Sequence, residues 1–170
     1  IDGNNIGERF KSCKTLAERR NLSILIEKIV NQSFQELLHY IIEDQMSYLK
    51  DKKSGFDIKE ENGKKILPIR PLILGGDDLT FVCDGRLGMI YAERLMKSMY
   101  ENSKQYSAFK NYPLTSCAGV AITKTKYPFY RAYELSENLC SLAKDKAREH
   151  GGSWIDFHIT YGGFSGELSE

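Results

Sequence analysis

The chain has 170 residues, 41% hydrophobic and 28% charged, with a formal net charge of +1. That length fits one domain with a sizeable core, and the near-neutral charge excludes a global field that would draw it to nucleic acid or a membrane surface. No apolar run approaches the ~18 residues of a membrane-spanning helix, and there is no signal-peptide pattern. The four cysteines, Cys13, Cys83, Cys117 and Cys140, lack CxxC spacing. They read as small buried hydrophobes of a reduced, cytoplasmic protein.

In chain order, Ile1-Asp2-Gly3 reads as the end of a strand. The opening at Ile1, without a methionine, suggests an excised domain or a disordered leader, with the first strand partly missing. A long helix follows, beginning between Lys14 and Asn21 and ending near Lys50. Its apolar positions, among them Leu22, Ile26, Ile29, Phe34, Leu37, Ile41 and Met46, recur at three- and four-residue steps. The polar segment 51–65, with Gly55 and Gly63, reads as a loop or small hairpin. Residues 66–73 and Leu79–Cys83 read as strands. Asp84 is expected to cap a second helix with Leu87, Ile90, Leu95, Met96 and Met99 on one face. Leu114–Thr123 reads as a strand, and Pro128 precedes a helix over Tyr130–His150 that stops at Gly151-Gly152. Trp154–Ile159 is a last strand. Residues 1–159 are therefore expected to form a single domain, with the long first helix and loop (14–65) as an elaboration and 160–170 as a polar tail or linker.

The segment with most chemical content is Gly75-Gly76-Asp77-Asp78, set between the two strands at a hairpin turn. Glycine allows positive φ and close approach, and two adjacent carboxylates repel each other unless a cation compensates them. The turn is a candidate divalent-metal site for phosphate chemistry. Read blandly, it is a solvated hairpin turn. The order β-α-β-β-α-β-α-β predicts an α+β fold. Its first six elements are the ferredoxin-like βαββαβ arrangement, an antiparallel sheet with helices on one face, followed by an added αβ. That arrangement brings Asp2 near Asp77 and Asp78. Three converging carboxylates suit two-metal phosphoryl transfer.

Three stretches carry a family resemblance: Asp2-Gly3-Asn4-Asn5-Ile6-Gly7, the Gly75–Asp78 hairpin, and Ala143-Lys144 with Ala147-Arg148. Together, and with Thr115–Ala121 and Tyr127-Pro128 between them, they resemble the palm domain of CRISPR-associated type III large subunits, or a minimal CRISPR polymerase. The GGDEF diguanylate cyclases and class III nucleotidyl cyclases are related. The cyclases of the GGDEF type have Glu-Phe where this chain has Asp78-Leu79, so the CRISPR-type palm fits better. The large subunits carry two palms, a zinc module and often a histidine–aspartate nuclease. This chain has one palm and no such cysteine or histidine motif, so it is one palm cut from a larger protein or a free-standing minimal version.

The resemblance implies a metal-dependent nucleotidyltransferase making cyclic or short oligonucleotides from nucleoside triphosphates, with ATP favoured, in antiviral signalling. It implies two Mg²⁺ or Mn²⁺ held by Asp2 and Asp77, with Asp78 adjacent and the Gly3 carbonyl as a further ligand. Asp77 and Asp78 would be catalytic. Asn4, Asn5, Ile6, Gly7, Gly75, Gly76, Lys144 and Arg148 would bind the nucleotide. A cyclic product needs two nucleotides facing each other, which implies a homodimer or a partner palm; RNA would be met only through a larger complex, and no membrane is expected.

Each feature also has a plainer reading. Asp2-Gly3 can be a strand-end turn and Asn4-Asn5 a helix cap. Lys144 and Arg148 share a helix face and can be a solvated basic edge that complements the helix dipole. Lys124 and Lys126 read as plain surface. Two other functions stay open: a nucleotide-binding scaffold without chemistry, and a template-dependent polymerase fragment. The near-neutral charge weakens the second.

Overall fold

The computed structural model describes residues 1–56 and 58–160. The expected tail, apart from Thr160, lies outside them. The elements are β1 (Asp2–Gly3), α1 (Ile6–Ser12), α2 (Leu16–Tyr40), a π turn (Ile41–Gln45), α3 (Met46–Lys50), β2 (Glu60–Glu61), β3 (Lys64–Lys65), β4 (Ile69–Gly75), β5 (Asp78–Cys83), α4 (Gly88–Ser103), β6 (Ser116–Ile122), α5 (Phe129–His150) and β7 (Trp154–Ile159).

The long first helix starts where Thr15 and Glu18 form a capping box. The Glu18 amide donates to Thr15 Oγ1 at 3.1 Å, and the Thr15 amide donates to Glu18 Oε2 at 3.3 Å. The expected helical stretch ends at Lys50 as read, but it is interrupted by the π turn, and a separate short helix, α1, precedes it. Ile26, Ile29, Val30, Phe34, Leu37 and Ile41 form its buried stripe. The segment before β4 does hold a small hairpin. Glu60 pairs with Lys65 across Asn62 and Gly63, whose φ angles of 52° and 71° match an Asn-Gly type I′ turn.

Three local expectations are corrected. Asp84 does not cap α4. Its carboxylate accepts from the Arg86 amide at 3.0 Å and from the Arg86 guanidinium, so it closes the turn ahead of the helix, whose first residue is Gly88. Ile90 is exposed, and Tyr91 is buried with Leu87, Leu95 and Met99, because those four residues repeat every four positions along α4. The strand expected from Ile66 begins at Ile69, just after Pro68, and its pairing with β5 slips between Pro71 and Ile73. Proline has no amide hydrogen to offer a ladder, so an irregularity there is expected.

The sheet is assembled around β1. Strand β1 pairs antiparallel with β6, Asp2 opposite Cys117 and Gly3 opposite Ser116. On its other side the Ile1 amino group donates to Leu79 O at 2.8 Å, and the Leu79 amide donates to Ile1 O at 2.9 Å. This reciprocal pair is an antiparallel junction with β5. The spatial order is β4-β5-β1-β6-β7, with the added strand β7 parallel to β6. The first strand thus lies beside the hairpin, as the ferredoxin-like reading requires. Beyond Ile1, β5 and β6 flank a groove of about 580 Å³.

Strand alternation in β6 divides the helices between the two faces. Ala118 packs with Ala92 and Met96 of α4, and a Cβ on Gly88 would meet Val120. Cys117 packs with Cys140 and Ala143 of α5. The helices of the first six elements share one face, and the added α5 covers the other. At Gly119 the α5 backbone comes so close that a Cβ would lie 2.0 Å from Ser136 O and 2.5 Å from Cys140 N. Both obstacles are main-chain atoms and cannot turn aside. Gly119→Ala should therefore lower stability by about 1–3 kcal/mol, the usual cost of overpacking, as read by urea denaturation. An unchanged midpoint would show that α5 is not docked so closely.

Candidate metal centre

The register at Ile1 and Leu79 builds the site. If Ile1 faces Leu79 in an antiparallel pair, Asp2 faces Asp78 and Gly3 faces Asp77. The contacts agree: a Cβ on Gly3 would lie 3.0 Å from Asp77 Cβ and 2.9 Å from Ile6 Cγ1. Gly3 is buried, and its lack of a side chain is what admits Asp77. The hairpin tip does the rest. Gly75 pairs with Asp78, and Gly76 has φ 60° while Asp77 stays at negative φ, the type II′ pattern with glycine first. One carboxylate oxygen from each of Asp2, Asp77 and Asp78 lies within 4.8 Å of the others.

Alternation also explains the cation. Asp2 faces Cys117, whose side chain points at α5. Lys144 stands one turn beyond Cys140 on α5 and donates to Asp2 Oδ2. Burial pushes the Asp77 carboxyl from 3.8 up to about 6, against its own backbone hydrogen bond and with help from the charges of Asp2 and Asp78. Burial, then the Asp2 charge, also raises Asp78, with Lys144 pulling the other way. At Lys144 burial works to lower the pKa, but the bond to Asp2 and its charge outweigh it, so the ammonium is held above its usual range.

The donor set fits a hard divalent cation. Three carboxylates supply oxygen ligands only, and one ammonium leaves most of their charge unbalanced. Their oxygens, within 4.8 Å of one another, are close enough for a shared ion bound at roughly 2 Å to draw them together.

The other expected site residues fall into three groups. Gly7, Gly75 and Gly76 are exposed, with nothing within 4 Å of where a Cβ would stand, so a ligand can approach their backbone. Asn5 is exposed at φ 58° ahead of α1 and makes no side-chain cap, while Ile6 is buried against Gly3. The Asn4 and Arg148 side chains point elsewhere. Asn4 Nδ2 donates to Thr115 Oγ1 at 3.2 Å and to Gly152 O at 3.0 Å. Arg148 pairs with Asp145, three residues back on the same exposed helix face. Sequence reasoning does not find Thr115 and Gly152 as partners of Asn4, because no spacing links positions so far apart.

The raised Asp77 carboxyl makes a signed prediction. A group that holds its proton more tightly when folded stabilises the fold at low pH and loses that contribution as pH rises through its folded pKa. In EDTA, the melting temperature of the wild type should fall relative to that of Asp77→Asn between about pH 4 and pH 6.5. Parallel curves for the two proteins would mean that burial and the neighbouring carboxylates do not hold the Asp77 proton in the folded state.

No curated protein matches the chain. A family model does: the one described as Cas10/Cmr2, second palm domain, matches residues 1–151. That span holds the Asp2 strand end, the Gly75–Asp78 hairpin and Lys144, and the chain belongs to this family of palm domains from the CRISPR type III large subunit.

Proposed function

We propose that this palm is a metal-dependent nucleotidyltransferase that joins nucleoside triphosphates, ATP favoured, into cyclic or short oligonucleotides for CRISPR-type antiviral signalling. A 3′-hydroxyl of one nucleotide loses its proton to solvent and attacks the α-phosphate of another; a new P–O bond forms, the bond between the α-phosphorus and the bridging oxygen to the β-phosphate breaks, and pyrophosphate leaves. The observation that carries the reading is the convergence of Asp2, Asp77 and Asp78 within 4.8 Å, from a strand end and a hairpin tip far apart in sequence.

Bound Mg²⁺ or Mn²⁺ would supply Lewis-acid stabilisation of the attacking and leaving oxygens. Asp2 and Asp77 would hold the ions, with the Gly3 carbonyl as a further donor. Asp78, the more exposed carboxylate, would complete or orient the set. Lys144 balances Asp2 in the protein alone. When a cation takes over that role, the ammonium is free to meet a phosphate. Gly75 and Gly76 leave the hairpin tip open to a nucleotide. The first turn of α1, at Ile6 and Gly7, has amide groups without intrahelical partners that suit phosphate oxygens. One such site accommodates one triphosphate, so cyclisation calls for a second palm, in a homodimer or a partner domain.

Incubation with each nucleoside triphosphate and Mn²⁺, followed by mass spectrometry, tests the reading. Product should form in the wild type and vanish in Asp77→Ala with the fold retained. Triphosphate bound without any product, with or without an added partner palm, would support a scaffold instead. Metal and triphosphate should also bind together far better than either alone, since Mg²⁺ commonly completes its shell with phosphate oxygens. Calorimetry showing equal nucleotide affinity in EDTA would oppose this.

Lys144→Ala should weaken triphosphate binding by about 1.5–3 kcal/mol, the range of hydrogen bonds to charged groups. Lys126→Ala, on the surface, should change it little. Equal losses in the two variants would remove Lys144 from the site.

A further inference from the structure

Lys144 has two anchors to the strand end that carries Asp2. One is its own ion pair with Asp2. The other runs through Asn4. The Asn4 amide donates to Thr115 O at 2.8 Å, which continues the β1–β6 pairing by one residue. Its side-chain Nδ2 then spends both of its hydrogens, one on Thr115 Oγ1 at 3.2 Å and one on Gly152 O at 3.0 Å. Gly152 lies in the turn that follows α5. Gly151 and Gly152 have φ angles of 72° and 81°, and the turn is tied again to β6 by the Ser116 amide donating to Ser153 Oγ at 3.1 Å.

We propose that Asn4 is a positioning residue, whose carboxamide clasps the α5–β7 turn to the end of β1 and so sets the height of Lys144 against the three carboxylates. This rests on the nucleotide reading of the site given above. Lys144 stands about two helical turns before Gly152, so a shift of the turn along the helix axis is carried to it through a rigid element. The need for a second anchor arises with ligand. A cation that takes Asp2 removes the ion pair that holds Lys144 in the protein alone. The clasp uses neutral groups and survives that exchange. It keeps the ammonium close to the carboxylates when it turns to a phosphate. Asn4 therefore acts on the nucleotide through Lys144 and not by touching it, because both of its N–H donors are already taken.

A double-mutant cycle with Lys144 and a spectroscopic probe of the turn test this. The probe is Trp154, the chain's single tryptophan, which sits two residues after Gly152 and donates from Nε1 to Gly151 O at 2.8 Å. In the absence of ligand, Asn4→Ala should lower the fluorescence anisotropy of Trp154. With ATP and Mn²⁺, Asn4→Ala should weaken binding about three- to tenfold, the scale of a lost hydrogen bond. In the Lys144→Ala background the same change should have almost no further effect. Asn4→Asp keeps the size of the side chain and gives up both donors. It should loosen Trp154 in the same way, which guards against Asn4→Ala simply failing to fold. An effect of Asn4→Ala that is undiminished without Lys144 overturns the proposal and makes Asn4 a direct ligand. Unchanged anisotropy in both variants overturns the clasp itself. A wild type that binds no triphosphate sinks the functional reading, and the Trp154 signal then decides the clasp alone.

Discussion

Two backbone hydrogen bonds between Ile1 and Leu79, at 2.8 and 2.9 Å, hold the hairpin to the rest of the sheet. The site depends on them more than on any side chain. They set the register in which Asp2 faces Asp78 and Gly3 faces Asp77. A slip of one residue would turn each side chain to the opposite face of the sheet. Asp78 would then point away from Asp2, whose own direction toward α5 and Lys144 is set by its pairing with Cys117 of β6. Gly3 adds the steric half of the constraint, because any Cβ there would push on Asp77 and Ile6.

The same register creates an electrostatic cost. Three carboxylates are held where burial and mutual repulsion raise Asp77 to about 6, and one ammonium offsets only part of the charge. Sites that strain the fold in this way are where tasks are usually found. The fold tolerates the crowding because its core lies elsewhere. Tyr91, Leu95, Met99, Ile26 and Ile29 are fully buried between α2, α4 and the sheet. Asp2, Asp77 and Asp78 stand at strand and hairpin ends, where partial solvation and a cation can relieve them.

Helix α5 gives the site a second side. Its approach to β6 is limited by Gly119, where main chain meets main chain, and its C-terminal turn is fixed by Asn4 and Ser153. Lys144 lies between these two restraints. A basic residue on a helix held only by side-chain packing could drift by a rotamer. Here the backbone itself is located at both ends of the relevant stretch.

Much of this was legible in the sequence. The helix period, the Gly-Gly-Asp-Asp turn, the Gly151-Gly152 stop and the strand at Trp154–Ile159 are local patterns, and local patterns follow from backbone propensity and burial. The order of elements was enough to bring Asp2 to the hairpin, because few ways of pairing such strands exist. What the sequence could not supply were the choices that side chains make among competing partners, some near along the chain and some far. Arg86 took the Asp84 carboxylate away from the helix it was expected to cap, and Asp145 took the Arg148 guanidinium. Asn4 read as a helix cap or nucleotide ligand until Thr115 and Gly152 lay beside it. The face on which α5 packs was likewise decided by alternation in β6, with Cys117 and Gly119 on one side and Ala118 and Val120 on the other. Sequence by itself determined which residues could do chemistry and in which elements they sit, since spacing and residue type act over a few positions. Tertiary structure alone decided which of them share a partner, since hydrogen bonds and ion pairs are settled by distance in space.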